Sequence, residues 1–114
     1  MRIRTVREEL EVILRPTAAE TTLAASRGKG EWKVYGDGSR QCKLSVTNLD
    51  LPDGTVLRLQ ISGRSIAEMI VERGAARFRR ETGRGEIVPT AQANEILQIV
   101  LQGRVILQGS FYHE

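Results

Sequence analysis

The sequence predicts an all-β domain: an antiparallel β-sandwich or small barrel of about seven to eight strands. Three observations lead there. The chain has 114 residues, enough for one domain and too few for two ordinary ones. Its eleven glycines and three prolines are too many and too evenly spread for a helix bundle of this size. Short stretches of alternating polarity recur between them at roughly ten-residue spacing.

The N-terminal segment, 1–16, supports two readings. Ile3, Val6, Leu10, Ile13 and Leu14 fit a helical stripe, and Thr5 with Glu8 could form a capping box. Leu10, Val12 and Leu14 fit a strand equally well. The strand over 9–14 is preferred, because Val12 and Ile13 are β-branched and Pro16 holds Arg15 extended. Residues 17–27 resemble a linker, and 28–114 form the body of a single domain.

Within the body, Glu31–Tyr35 alternates, and Cys42, Leu44 and Val46 alternate with Lys43, Ser45 and Thr47. Leu51-Pro52-Asp53-Gly54 reads as a chain reversal. Strands are then expected over 55–61, 65–71, 75–80, 95–101 and 105–111. Turns at Ser62-Gly63-Arg64, Glu72-Arg73-Gly74 and Gln102-Gly103-Arg104 and a loop at 82–85 separate them. A weak internal repeat relates 27–34 to 73–80 and 56–66 to 96–106, as a duplicated half would.

Composition narrows the functional classes. Hydrophobic residues at 40% and charged residues at 27% fit a globular chain, and 4% aromatics require an aliphatic core. A single cysteine, Cys42, excludes an intramolecular disulfide. The opening MRIRTVREELEVILRP has no apolar run of signal or spanning length. A cytoplasmic chain without membrane insertion is therefore expected, unless an export signal has been removed. The net charge is +3, and every basic residue other than Lys29, Lys33 and Lys43 is arginine.

No catalytic constellation is visible. The only histidine, His113, is next to the last residue, and Cys42 alternates with Leu44 and Val46 as a buried structural thiol would. Asn48, Asp50 and Asp53 lack EF-hand spacing, since the twelfth position is Leu59, so they read as turn chemistry. Gly28-Lys29-Gly30, Gly36-Asp37-Gly38 and Gly83-Arg84-Gly85 do not continue to a nucleotide-binding motif and read as hairpin loops and bulges. No cofactor and no metal are expected. A carboxylate pair of the glycosidase type would be invisible at this level.

The runs GKGEWKV (28–34), CKLSVTNLDLPDGTVLRLQISGR (42–64) and ETGRGEIVPTAQANEILQIVLQGRVILQGSF (81–111) resemble small bacterial β-sandwich modules with NL-x-LPDGT, a Gly-centred hairpin, VP and a final L-x-G-x-F. The resemblance covers most of the chain beyond residue 8. It implies a sandwich fold, a non-catalytic part of a surface or matrix protein, and a cell-surface or extracellular location.

Two functions are expected from these features. The first is a structural or interaction module that self-associates by edge-strand pairing into an oligomer or fibre, with Leu10, Val12, Ile13 and Leu14 as the pairing segment. The second is binding of nucleic acid or acidic glycan by an arginine stripe of Arg73, Arg77, Arg79, Arg80 and Arg84 interleaved with Phe78. Alternation places Arg77 and Arg79 on one strand face and Phe78 and Arg80 on the other.

Overall fold

The computed structural model describes residues 5–17 and 23–114. Among these, eight strands form one antiparallel sheet curled into a nearly closed barrel. They are β1 (Val6–Pro16), β2 (Arg27–Tyr35), β3 (Arg40–Thr47), β4 (Val56–Ile61), β5 (Arg64–Ile70), β6 (Ala76–Glu81), β7 (Ile96–Leu101) and β8 (Arg104–His113). Their spatial order is β5-β4-β7-β8-β1-β2-β3-β6. A 3₁₀ turn, Thr82–Arg84, follows β6.

The alternation expected from sequence is present. Cys42, Leu44 and Val46 of β3 are buried while Lys43 is exposed, and Leu57, Leu59 and Ile61 of β4 are fully buried around exposed Arg58. The core is aliphatic, with Trp32, Phe78 and Phe111 as its buried aromatic rings. Trp32 meets Phe111 edge to face, at 5.0 Å between ring centres.

Over Val6–Pro16 the N-terminal segment is a strand and not a helix. Leu10, Val12 and Leu14 are buried because each is held from both sides: Leu10 opposes Trp32 of β2 and His113 of β8. That position also corrects the expectation of an edge strand, since β1 lies inside the sheet order. Ile3, from the helical stripe, lies outside the described residues. So do 18–22 of the linker-like segment, but its far end belongs to the body: Leu23 is in the core, and buried Ser26 donates its hydroxyl to the Asn48 carbonyl at 2.7 Å. Gly28-Lys29-Gly30 is likewise part of β2 and not a loop.

Three two-residue turns set the hairpins. Ser62-Gly63, Arg73-Gly74 and Gln102-Gly103 each have both φ values positive, between 48° and 81°, as type I′ turns require. The β4–β5 and β7–β8 hairpins are structural repeats. Each has a register shift just before its turn, at Leu59/Gln60 and at Ile99/Val100, the same places in the two matched sequences. The other half of the repeat does not hold, because β2 is interior to the sheet and β6 ends it.

At Gly109 of β8 the backbone of β1 passes so closely that a Cβ would overlap the Ile13 carbonyl. Only glycine fits this crossing. Gly109→Ala is expected to destabilise the fold by about 2–3 kcal/mol, through backbone displacement at the β1–β8 junction. The shift in urea midpoint against the parent chain measures it.

Candidate functional site

Register determines which side chains meet. Leu10, Trp32, Cys42 and Arg80 form one inward row across β1, β2, β3 and β6. One step nearer the end of the barrel, Glu8 opposes Val34 and Val34 opposes Arg40, on the same inward period. The row at the mouth is thus partly charged. Arg7 is the extra residue of a bulge between Val6 and Glu8, which turns an additional side chain toward this end.

The segment 85–95 folds across the mouth and is fixed there by Trp32, whose indole N–H donates to the Pro89 carbonyl at 2.9 Å. Val88 is buried beneath it, while neighbouring Ile87 is 87% exposed. A cavity of about 240 Å³ lies between this segment and the row, with Leu10 and Trp32 as its floor and Arg7, Glu8 and Arg40 among its lining.

The five arginines of the expected stripe do not come together. Arg73 sits in a hairpin turn, its backbone N–H bound by Asp53 Oδ1 at 2.8 Å. Arg80 faces inward and lies over the Phe78 ring at 4.6 Å. Arg79 and Arg84 both pair with Glu81, at 2.7 and 3.6 Å. Arg77 stays on the outer face, as alternation required, and opposes Ser45, which opposes Lys29. Lys43 lies beside them opposite Arg79. Lys29 and Lys43 are the members of this basic patch that sequence reasoning missed. Lys29 reaches Glu11 at 3.8 Å, whereas Lys43 and Arg77 make no ion pair among the described residues.

Burial pushes the Cys42 thiol up to about 11, only partly offset by Arg80, so it is protonated at neutral pH. Asp53 bonds the Arg73 turn, and Asn48 takes a positive φ of 56° with its carbonyl bound by Ser26. His113 lies at the exposed end of β8. Leu10, Val12 and Leu14 point into the core and Ile13 is half-buried, so β1 offers no free pairing edge.

An acidic group lies on the outer face where β1 meets β8. Tyr112 Oη donates to Glu11 Oε2 at 2.7 Å, and the Glu114 backbone N–H donates to the Glu9 carbonyl at 3.2 Å. Hydrogen bonding of the protonated Glu114 carboxyl to Glu9, then to Glu11, lifts it to about 7. The Tyr112 hydrogen bond, then Glu114, holds Glu11 below the usual carboxylate range.

Comparison with protein-family models and with curated proteins finds no match to this chain.

Because the Glu114 carboxyl is raised in the folded chain, its contribution to stability is fully present below its ordinary value of 4.5 and is lost as pH rises through about 7. A carboxyl ¹³C titration is expected to show a midpoint near 7 for Glu114. Glu114→Gln, which keeps a donor without titrating, is expected to flatten the decline in melting temperature over this window.

Proposed function

We propose that the protein is a non-catalytic interaction module that pairs with a second copy of itself through the β5 edge of its sheet. The observation that carries this reading is the incomplete closure of the barrel. β5 and β6 end the strand order and are joined only at the Glu72–Ala75 bridge. A cleft of about 810 Å³ separates Glu68, Met69 and Ile70 from Ala76, Arg77 and Phe78.

The Val71 N–H donates toward β4, to Thr55 at 2.9 Å, so alternation turns the backbone groups of Ile70 and Glu68 away from the sheet. Ile70 is 57% exposed, and its cross-strand partner Val56 is 49% exposed. An unpaired strand with an apolar flank is a template for another strand. The β6 edge is blunted by Arg77 and Arg79, which favours a closed β5-to-β5 pair over an open fibre. The buried, protonated Cys42 and the distant His113 support the non-catalytic part of the reading.

Sedimentation equilibrium over a concentration series tests it. The expected mass rises from 12.7 kDa toward twice that value, and Ile70→Lys returns it to 12.7 kDa. A constant 12.7 kDa at every concentration would overturn the proposal.

Lys43 and Arg77, which make no ion pair among the described residues although Glu31 lies across the strand from Lys43, support with Lys29 a second reading in which the outer face of β2, β3 and β6 holds a polyanion. Retention on heparin is expected at low salt, falling steeply as salt rises and falling again in a Lys43→Ala/Arg77→Ala variant. Retention unchanged in that variant would exclude this face.

A further inference from the structure

From the mouth of the barrel, independently of the sheet edges, we infer a binding site for a small organic monocarboxylate with a compact apolar body. The floor of the cavity is apolar, formed by Leu10 and Trp32, and the Trp32 indole N–H is already occupied by Pro89. The floor therefore offers a ligand packing surface and no donor from the indole. The polar side chains of the lining are those of Arg7, Glu8, Lys33, Arg40, Thr90 and Gln92. Lys33 is engaged by Glu9 at 3.6 Å and by Glu31 at 4.0 Å, whereas Arg7, Arg40 and Glu8 make no ion pair among the described residues.

Charge and size select the ligand. Two guanidiniums against one carboxylate leave one unmatched positive charge, which suits a monoanion, and Glu8 repels a dianion such as phosphate. A guanidinium takes a carboxylate in planar, bidentate fashion. The volume of about 240 Å³ is that of about eight waters at about 30 Å³ each, room for a single-ring acid and not for a nucleotide. Two features indicate a built site. Glu8 and Arg40 end the inward periods of β1 and β3, whose next inward residues, Leu10, Val12 and Leu14 and Cys42, Leu44 and Val46, are apolar, and the β1 bulge adds Arg7 to the same end.

The sole tryptophan provides the readout. Cyclohexanecarboxylate titrated into the intact chain is expected to shift Trp32 emission and its indole ¹⁵N–H resonance saturably, with a dissociation constant on the order of millimolar. Cyclohexanecarboxamide, of equal shape and no charge, is expected to bind at least about tenfold more weakly, and inorganic phosphate to give no saturable shift. Arg7→Gln and Arg40→Gln each reduce carboxylate affinity by about tenfold in protein whose melting temperature matches the parent. Equal binding of acid and amide to the unmodified chain would overturn the assignment whatever the variants do. So would full affinity in the doubly substituted protein, or no Trp32 response up to about 50 mM acid.

Discussion

The sheet depends on β1 being paired along both edges. It is the strand that joins β8 to β2, and without it the order divides into β5-β4-β7-β8 and β2-β3-β6. The same strand contributes Leu10, Val12 and Leu14 to the core, so hydrogen-bond continuity and apolar burial rest on one segment. The Leu10–His113 pair closes a loop of roughly a hundred residues, whose closure entropy alone costs about 4 kcal/mol. The hairpins at Ser62-Gly63 and Gln102-Gly103 are local by comparison, so the order of assembly that topology favours is hairpins first and the β1 junction late.

The features at the two unfinished places of the barrel differ in kind. Along the seam between β5 and β6 the missing element is backbone pairing, and what lies beside it is Ile70 on one strand and arginines on the other. At the mouth the backbone stays paired past the Glu8–Val34–Arg40 row, to Val6–Tyr35, and it is the side chains that change character. The first arrangement suits another strand, which brings its own row of donors and acceptors. The second suits a small molecule that brings one charge. Arg80, lying over Phe78 on the inner side of β6, covers core aromatic surface that the open seam would otherwise leave to water.

Much of the strand map was legible because its signals are local. Cys42, Leu44 and Val46 alternate, and a glycine follows each αL residue of the three type I′ turns, so strand existence and hairpin position could both be read from neighbouring residues. The place of β1 could not, because Leu10 alternates as well on a helix face as on a strand. Its partners, Trp32 and His113, lie 22 and 103 residues away. The choice of a single curled sheet follows from that placement and was illegible for the same reason. Alternation along β6 already separates Arg77 and Arg79 from Arg80, but the place of Lys29 of β2 and Lys43 of β3 beside Arg77 and Arg79 depends on strand order and register, which no local signal carries. For the mouth a signal was available: Arg40 falls two residues before Cys42 on the buried period of β3, and a charge on the inner face of a strand marks either its end or a site.

The meeting of β1 and β8 also determines how the molecule would answer a pull. The two strands are antiparallel, with Leu10 opposite His113 and the Glu114 N–H on the Glu9 carbonyl, so residue 6 and residue 114 leave the sheet at the same end. Tension between those points does not shear the ladder, which would load all its hydrogen bonds at once. It opens the pairs one after another from Glu9–Glu114 toward Pro16–Leu107, each bearing the load alone. A chain strung end to end through this domain would therefore yield first at the strand that holds its two half-sheets together, and at low force.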